Sequence, residues 1–284
     1  MDIDVLGALV VRVNGVSVTP TAPKPRQVLA LLALHADRVV PVPVLFEEVW
    51  AGRPPRSART TLQTYVLQLR ELIAAALGTD GQHDGERLSA KDILMTTPGG
   101  YLLSGGGGTS DIREFERLAG MGYRAMDAGD FAGAARQLRG ALDLWSGNAF
   151  ADVQAGPQLQ MEAKRLEESR LCALDQRIEA DLRLGRHREL LAELTVLVSR
   201  YRTHESLHAQ FMLALQRSGR RGEALDVYQR LRGTLVQDLG LEPSAGLRRL
   251  QRSMLAAASE PLAPPTPSAT RAGSGRERLA TTVW

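Results

Sequence analysis

The sequence has a single cysteine, Cys172, among 284 residues. That excludes an intramolecular disulfide framework and agrees with a reducing compartment. Lysine is nearly as scarce, at three residues against 32 arginines. With alanine and glycine abundant, this imbalance reflects codon usage in a GC-rich genome and is not read as function. No apolar run approaches the roughly 20 residues that would span a bilayer. The N-terminus, M-D-I-D-V-L-G, carries acids where a secretion signal needs a basic start. Export is therefore not expected, and the protein is assigned to the cytoplasm. No dinucleotide fingerprint or kinase motif occurs.

What is present is the balance of a soluble globular chain, with 44% hydrophobic and 24% charged residues, long enough for two cored domains. A net charge of +3 is too mild to mark a nucleic-acid binder, but its distribution is uneven. Seven basic residues face three acids between Lys24 and Arg70. Residues 53–73 read R-P-P-R-S-A-R-T-T-L-Q-T-Y-V-L-Q-L-R-E-L-I. Two prolines stop the preceding element and Ser57 is placed to cap a new helix. Leu62, Val66, Leu69 and Ile73 make one apolar stripe. The opposite arc carries Thr60, Gln63, Thr64, Leu67, Gln68 and Glu71, with Arg59 and Arg70 on its shoulders. Amide and hydroxyl groups flanked by Arg53, Arg56, Arg59 and Arg70 suit a helix in a DNA major groove, where Gln and Thr reach base edges and Arg neutralises phosphate. A solvated amphipathic helix satisfies the same pattern.

Around this stretch the first hundred residues read as hairpin, three helices and hairpin. Residues 2–18 alternate valines about Asn14-Gly15, a strong two-residue turn signal. A first helix is expected over 25–35, with Val28, Leu31 and Leu32 inward and Pro25 in its first turn. Arg38-Val39-Val40 adds a brief extended segment. A second helix over 42–50 presents Leu45 and Val49, with Phe46 and Trp50 beside them. Residues 78–87 are loop-like, and I-L-M-T-T-P-G-G-Y-L-L then forms a hairpin whose tip is Pro98-Gly99-Gly100.

Residues 104–110, S-G-G-G-G-T-S, lack the Gly-Lys-Ser/Thr helix start of a phosphate loop. They are expected to be a flexible linker and a domain boundary, dividing domain 1–104 from domain 111–258 with 105–110 between. The second domain is helical throughout. Three of its segments end a helix at Gly129, Gly185 or Gly219, place two polar residues, and start another helix. The last two glycines are 34 residues apart, the tetratricopeptide period, and the first two are 56 apart, which leaves room for one lengthened helix over 158–184 with Leu159, Leu166, Leu174 and Ile178 inward. Such repeats stack into a solenoid with a protein-binding groove, although a plain bundle is compatible too. Residues 259–284 hold four of the 14 prolines and little core-forming material, so they are expected to be disordered.

Catalytic chemistry is weakly signalled. His204-Glu205-Ser206-Leu207-His208 matches H-E-x-x-H, but Leu207, Phe211 and Leu215 are needed for packing and no third histidine follows. Cys172, in L-C-A-L, is expected to be a buried, inert thiol. Glu167 and Glu168 are expected on a solvated face. No metal, cofactor or enzymatic activity is expected.

Taken together, these segments resemble the short members of the Streptomyces antibiotic regulatory protein family. The hairpin, three helices and wing closing on P-G-G-Y-L-L are similar to the OmpR-type winged helix-turn-helix. S-A-R-T-T-L-Q-T-Y-V-L-Q-L-R-E-L is similar to the family's recognition helix. D-I-R-E-F-E-R-L-A through G-E-A-L-D-V-Y-Q-R-L-R and D-L-G-L-E-P-S-A-G-L looks like the bacterial transcriptional activation domain. The resemblance covers roughly residues 2–256, and no nucleotide-binding domain follows it. The fold implied is mainly α, a winged helix followed by an all-α tetratricopeptide-like domain. The function implied is activation of a secondary-metabolite (antibiotic) gene cluster. Members bind direct repeats of double-stranded DNA near the −35 element, self-associate there, and recruit RNA polymerase holoenzyme through its sigma factor and alpha subunit. By position, Gln63, Thr64, Leu67 and Gln68 would face bases, with Leu67 against a thymine methyl. Arg56, Arg59, Thr60, Thr61, Tyr65 and Arg70 would meet the backbone. Thr97, Gly99 and Gly100 in the wing would approach the minor groove or its phosphates. Two-component relatives usually have basic residues where Leu67 and Gln68 stand, which implies a different base preference. No receiver domain is present, so control by its phosphorylation is not expected. The rival reading is a tetratricopeptide-type scaffold that does not bind DNA.

Overall fold

A computed structural model describes residues 1–78 and 88–256. The expected disordered tail, and all but the first residue of the loop expected over 78–87, lie outside the described residues. The chain opens with an antiparallel sheet ordered β1 (Asp2–Asp4), β2 (Val10–Val13), β3 (Val16–Ser17). Asn14 and Gly15 join β2 to β3 with φ of 51° and 77°, the paired left-handed geometry of a two-residue hairpin. Next come α1 (Pro23–Leu34), β4 (Val39–Pro41), α2 (Val42–Trp50) and α3 (Ala58–Gly78). A short α4 (Ala90–Ile93) leads into β5 (Leu94–Thr97) and β6 (Gly100–Leu103), and the second sheet is ordered β4-β6-β5. Val28, Leu31, Leu32, Leu45 and Val49 are all buried, as their spacing demands. The result is a helix-turn-helix with a β-wing.

Among the described residues the regular elements that follow are all helices: α5 (Asp111–Asp127), α6 (Phe131–Asp143), α7 (Pro157–Arg183), α8 (Leu191–Arg200), α9 (Glu205–Arg217), α10 (Arg221–Leu239) and α11 (Ala245–Ala256). Helices α5, α7 and α9 end in one way. Gly129, Gly185 and Gly219 have φ of 75°, 78° and 81°. The next residue in each case donates its N–H to a carbonyl five residues back: Asp130 to Ala125, Arg186 to Asp181, Arg220 to Leu215, at 2.9–3.0 Å. The glycine N–H bonds the carbonyl three back. This is the Schellman closure, and it needs a residue without a Cβ at the left-handed position. The repeated sequence signature is therefore a repeated helix stop.

The core does not divide at the glycine run. One apolar cluster extends from Ile3 through the three N-terminal helices and the wing to Phe115, Leu138, Leu159 and Ala173. A second begins at Ile178, still on α7, and runs to Met254. The segment 104–110 is not a loose tether either. Gly105 donates its N–H to Asp37 Oδ1 at 2.7 Å, Thr109 donates to Asp2 Oδ1 at 3.1 Å, and Ile3 donates to the Thr109 carbonyl at 3.0 Å. Composition alone suggests flexibility, but these long-range partners anchor the run at both ends. Residues 5–9 also lie against the second domain. Ser146, Phe150 and Ala151 each donate an N–H to Leu6, Val5 and Gly7 carbonyls at 2.9 Å. Asp111 accepts from Val5 and Leu6 N–H at 2.6 and 2.7 Å. Arg26 on α1 pairs with Asp152.

The closest tie is Glu48 of α2, which is 1% exposed. Its carboxylate accepts the N–H groups of Gly156, Gln158 and Leu159 at 2.5, 2.9 and 3.1 Å, and Gln27 Nε2 at 2.9 Å. These are N–H groups at the start of α7 that the helix cannot satisfy itself. A Cβ on Gly156 would lie 2.0 Å from the Glu48 carbonyl oxygen, so only glycine permits the approach. Glu48→Ala should leave those donors buried and unpaired. It is expected to cost roughly 2–4 kcal/mol in a urea titration of the whole chain. A midpoint equal to wild type would show that water replaces the carboxylate without penalty.

Candidate nucleic-acid interface

Helix α3 is held through Leu62, Val66, Leu69 and Ile73, each at most 2% exposed, and Ala58 and Ala76 lengthen the same stripe. Its other side holds Arg59, Thr60, Gln63, Thr64, Leu67, Gln68 and Glu71, all exposed. The structure therefore brings the expected base-facing residues onto one outward arc. Leu67 is 56% exposed at the centre of that arc, an apolar side chain left in water by a helix whose core positions are already filled. Thr64 donates its hydroxyl to the Thr60 carbonyl at 3.1 Å, which leaves its lone pairs for an outside donor. Thr61 and Tyr65 are half-buried at the edge of the arc, with the Tyr65 ring packed on the core.

Charge is asymmetric around this face. Arg53, Arg56 and Arg59 are exposed and have no ion pair among the described residues, whereas Arg12, Arg26, Arg113, Arg117 and Arg165 are each paired with an acid. Lys24 is occupied too, donating to the Val49 carbonyl at 2.7 Å. The free arginines lie in the turn before α3 and in its first turn. There the unpaired helical N–H groups add positive potential. The turn is made possible by Ala51 and Gly52, both left-handed at φ 49° and 79°.

Two residues expected at DNA, Arg70 and Gly100, are used otherwise, and a third, Thr97, is turned inward. Arg70 donates from Nε and Nη2 to the Leu94 carbonyl at 3.0 and 2.7 Å, and from Nη2 to Thr96 Oγ1 at 2.8 Å. It ties α3 to β5 instead of standing free for phosphate. Thr97 has its hydroxyl buried. Gly100 is buried beneath β4, where a Cβ would come within 2.4 Å of the Val40 carbonyl oxygen. It is required by strand packing. Of the wing tip, Pro98 and Gly99 are exposed, and Gly99, at φ 82°, completes a turn with proline at its first central position. Thr96 and Glu48 went unnoticed in the sequence. Neither carries a local signal, since their roles depend on partners 26 and 108 residues away.

Comparison with known proteins agrees with this architecture. The family profile described as "Transcriptional regulatory protein, C terminal" matches residues 17–83, and that described as "Bacterial transcriptional activator domain" matches 110–255. The chain is 54% identical over 257 residues to the regulatory protein DnrI of Streptomyces peucetius, covering 90% of this chain and 93% of that one. It is 35% identical to the regulatory protein AfsR of Streptomyces coelicolor, covering 89% of this chain but 24% of AfsR. The solved structure of Mycobacterium tuberculosis EmbR with a low-affinity phosphopeptide superposes with a TM-score of 0.80 at 32% identity, covering 92% of this chain and 66% of that one.

The remaining chemical candidates have structural employment. His204 caps α9, its Nδ1 accepting the Leu207 N–H at 3.4 Å. The His208 ring is 6% exposed and lies 3.0 Å from the His204 carbonyl oxygen, beside a groove of about 780 Å³ lined by Val198, Arg202, Phe211, Val227 and Arg230. Cys172, expected inside, is exposed, because α7 turns Ala173 and Arg177 inward. The Tyr123 hydroxyl has its pKa raised, first by burial and then by the influence of Cys172. Glu167 accepts the Ala149 N–H at 3.2 Å and is not simply solvated. Burial holds the His208 pKa below its usual 6.5, with the His204 carbonyl opposing, and burial lowers His35 likewise. The unfolded chain then takes up these protons first, so the stability is full above pH 6.5 and is lost as pH falls below it. Urea midpoints measured at about pH 7.5 and 5.5 should fall with acid in wild type and fall less in His208→Gln. Equal slopes would remove His208 from the pH dependence.

Proposed function

This chain belongs to the short form of the Streptomyces antibiotic regulatory protein family, a transcriptional activator of that type, and we propose that it works by setting α3 into the major groove of double-stranded promoter DNA. The observation that carries this reading is the exposed arc of Gln63, Thr64, Leu67 and Gln68, bordered by three arginines with no acidic partner among the described residues. Glutamine can bond adenine through two atoms at once, and Leu67 offers an apolar contact for a thymine methyl. Arg53, Arg56 and Arg59 neutralise backbone phosphates, assisted by Thr60, Thr61 and the edge of Tyr65. The exposed wing tip at Gly99 offers main chain to the minor groove or its phosphates. Arg53 joins the expected backbone set and Arg70 leaves it.

The site is a direct repeat near the −35 element, occupied by two copies side by side, since tandem half-sites ask for head-to-tail contacts and not a two-fold dimer. The helical domain recruits RNA polymerase holoenzyme through its sigma factor and alpha subunit, and the genes served form a secondary-metabolite cluster. This is cytoplasmic work at the nucleoid. No catalytic step is involved.

A gel-shift with the promoter beside the protein's own gene tests the reading. Sequence-selective binding that weakens with salt supports it, and no binding even at micromolar protein would favour a protein-interaction scaffold. Within that assay, Gln68→Ala should cost roughly 1–3 kcal/mol at one base position and little elsewhere; an equal loss on all sequences counts against base contact. Arg59→Ala should lower the salt slope by about one, and an unchanged slope would take Arg59 off the phosphate.

A further inference from the structure

Beyond the residues that would touch DNA, the wing needs something to hold it, because it has no charge of its own. Between Leu94 and Leu103 the chain reads L-M-T-T-P-G-G-Y-L-L, with no lysine or arginine. Such a hairpin cannot be drawn onto a phosphate backbone by a salt link. Whatever its main chain contributes depends on its being held at the right angle before DNA arrives, when ordering costs are already met.

The sheet holds only one of its sides. β6 is central, paired to β4 through Val39↔Leu102, Val40↔Tyr101 and Pro41↔Gly100, while β5 is an edge strand. Ile93 gives its carbonyl to the Ser104 N–H at 2.7 Å, so by strand alternation the next carbonyl, Leu94, points away from β6. The Arg70 fork fills that open position and continues to the Thr96 hydroxyl, two residues nearer the tip. Arg70 lies on α3 two residues beyond Gln68, so the clamp joins the reading arc to the wing through one side chain.

We infer that Arg70 is a positioning residue, which sets the angle between recognition helix and wing and makes them one DNA-facing surface. This rests on the DNA-binding reading above. Nη1 is not used in the clamp, so the competing role is a phosphate contact from that nitrogen. The two differ in salt dependence. A phosphate ligand displaces a counterion and a clamp does not.

The experiment measures promoter binding by the full chain across a salt series, with amide hydrogen exchange of the free protein. Arg70→Met is expected to weaken binding about tenfold, the loss of a charged bidentate bond, at the wild-type salt slope. Exchange over residues 94–103 should quicken without DNA present. Thr96→Val should weaken binding less, and the double variant should lose no more than Arg70→Met. A slope lowered by about one in Arg70→Met would make Arg70 a phosphate ligand and overturn the inference, as would unchanged exchange in the wing or additive losses in the double variant. If wild type shows no salt-sensitive binding, the DNA reading falls and takes this inference with it. Wild-type binding with an altered Arg70→Met slope overturns the clamp alone.

Discussion

A carboxylate buried at a helix N-terminus is the constraint on which the arrangement depends. Glu48 belongs to α2, the helix that precedes α3, and the N–H groups it accepts belong to the start of α7. A charge removed from water to this degree persists only if its lone pairs are filled, and four donors fill them. Gln27 of α1 is one of those donors and also bonds the Glu48 carbonyl at 2.7 Å. The same few atoms therefore locate α1 against α2 and α2 against α7. Since α1 also packs on α3, the outward face of α3 is oriented, at two removes, by the helical domain.

Such coupling changes what the two halves are to each other. A glycine-rich segment would ordinarily permit independent motion, yet 104–110 is hydrogen-bonded to Asp2, Ile3 and Asp37, and one apolar cluster crosses it. The division in packing falls inside α7, between Ala173 and Ile178. A long helix that belongs to two cores ties the position of one to that of the other.

The elements were legible in the sequence wherever their cause is local. The Asn14-Gly15 turn, the stripe of Leu62, Val66, Leu69 and Ile73, and the helix stops at Gly129, Gly185 and Gly219 each follow from a few neighbouring residues, and the structure has them at those positions. The outward arc of α3 was legible for the same reason, since it is the complement of the stripe. What escaped depends on partners far along the chain. Glu48 sits in a helix where a glutamate is ordinarily solvated. Arg70 has the chemistry of a phosphate ligand, and nothing within ten residues announces Leu94 or Thr96. Gly100 reads as turn material until β4 is laid over it. Composition made the glycine run look loose for the same reason.

These long-range uses sort the arginines by role in a way that their number does not. Where an acid or carbonyl lies within reach, as for Arg26, Arg70 or Arg177, the guanidinium fork is engaged in holding parts of the protein together. Where the surroundings provide no acid, as from Ala51 to Arg70, Arg53, Arg56 and Arg59 retain their full charge towards solvent. The division follows from the absence of acids in one stretch of 20 residues that also holds four arginines. An interface for a polyanion can be specified by what its neighbourhood leaves out. The uncharged Gln63, Thr64, Leu67 and Gln68 that follow them on α3 lie exposed beside that charge.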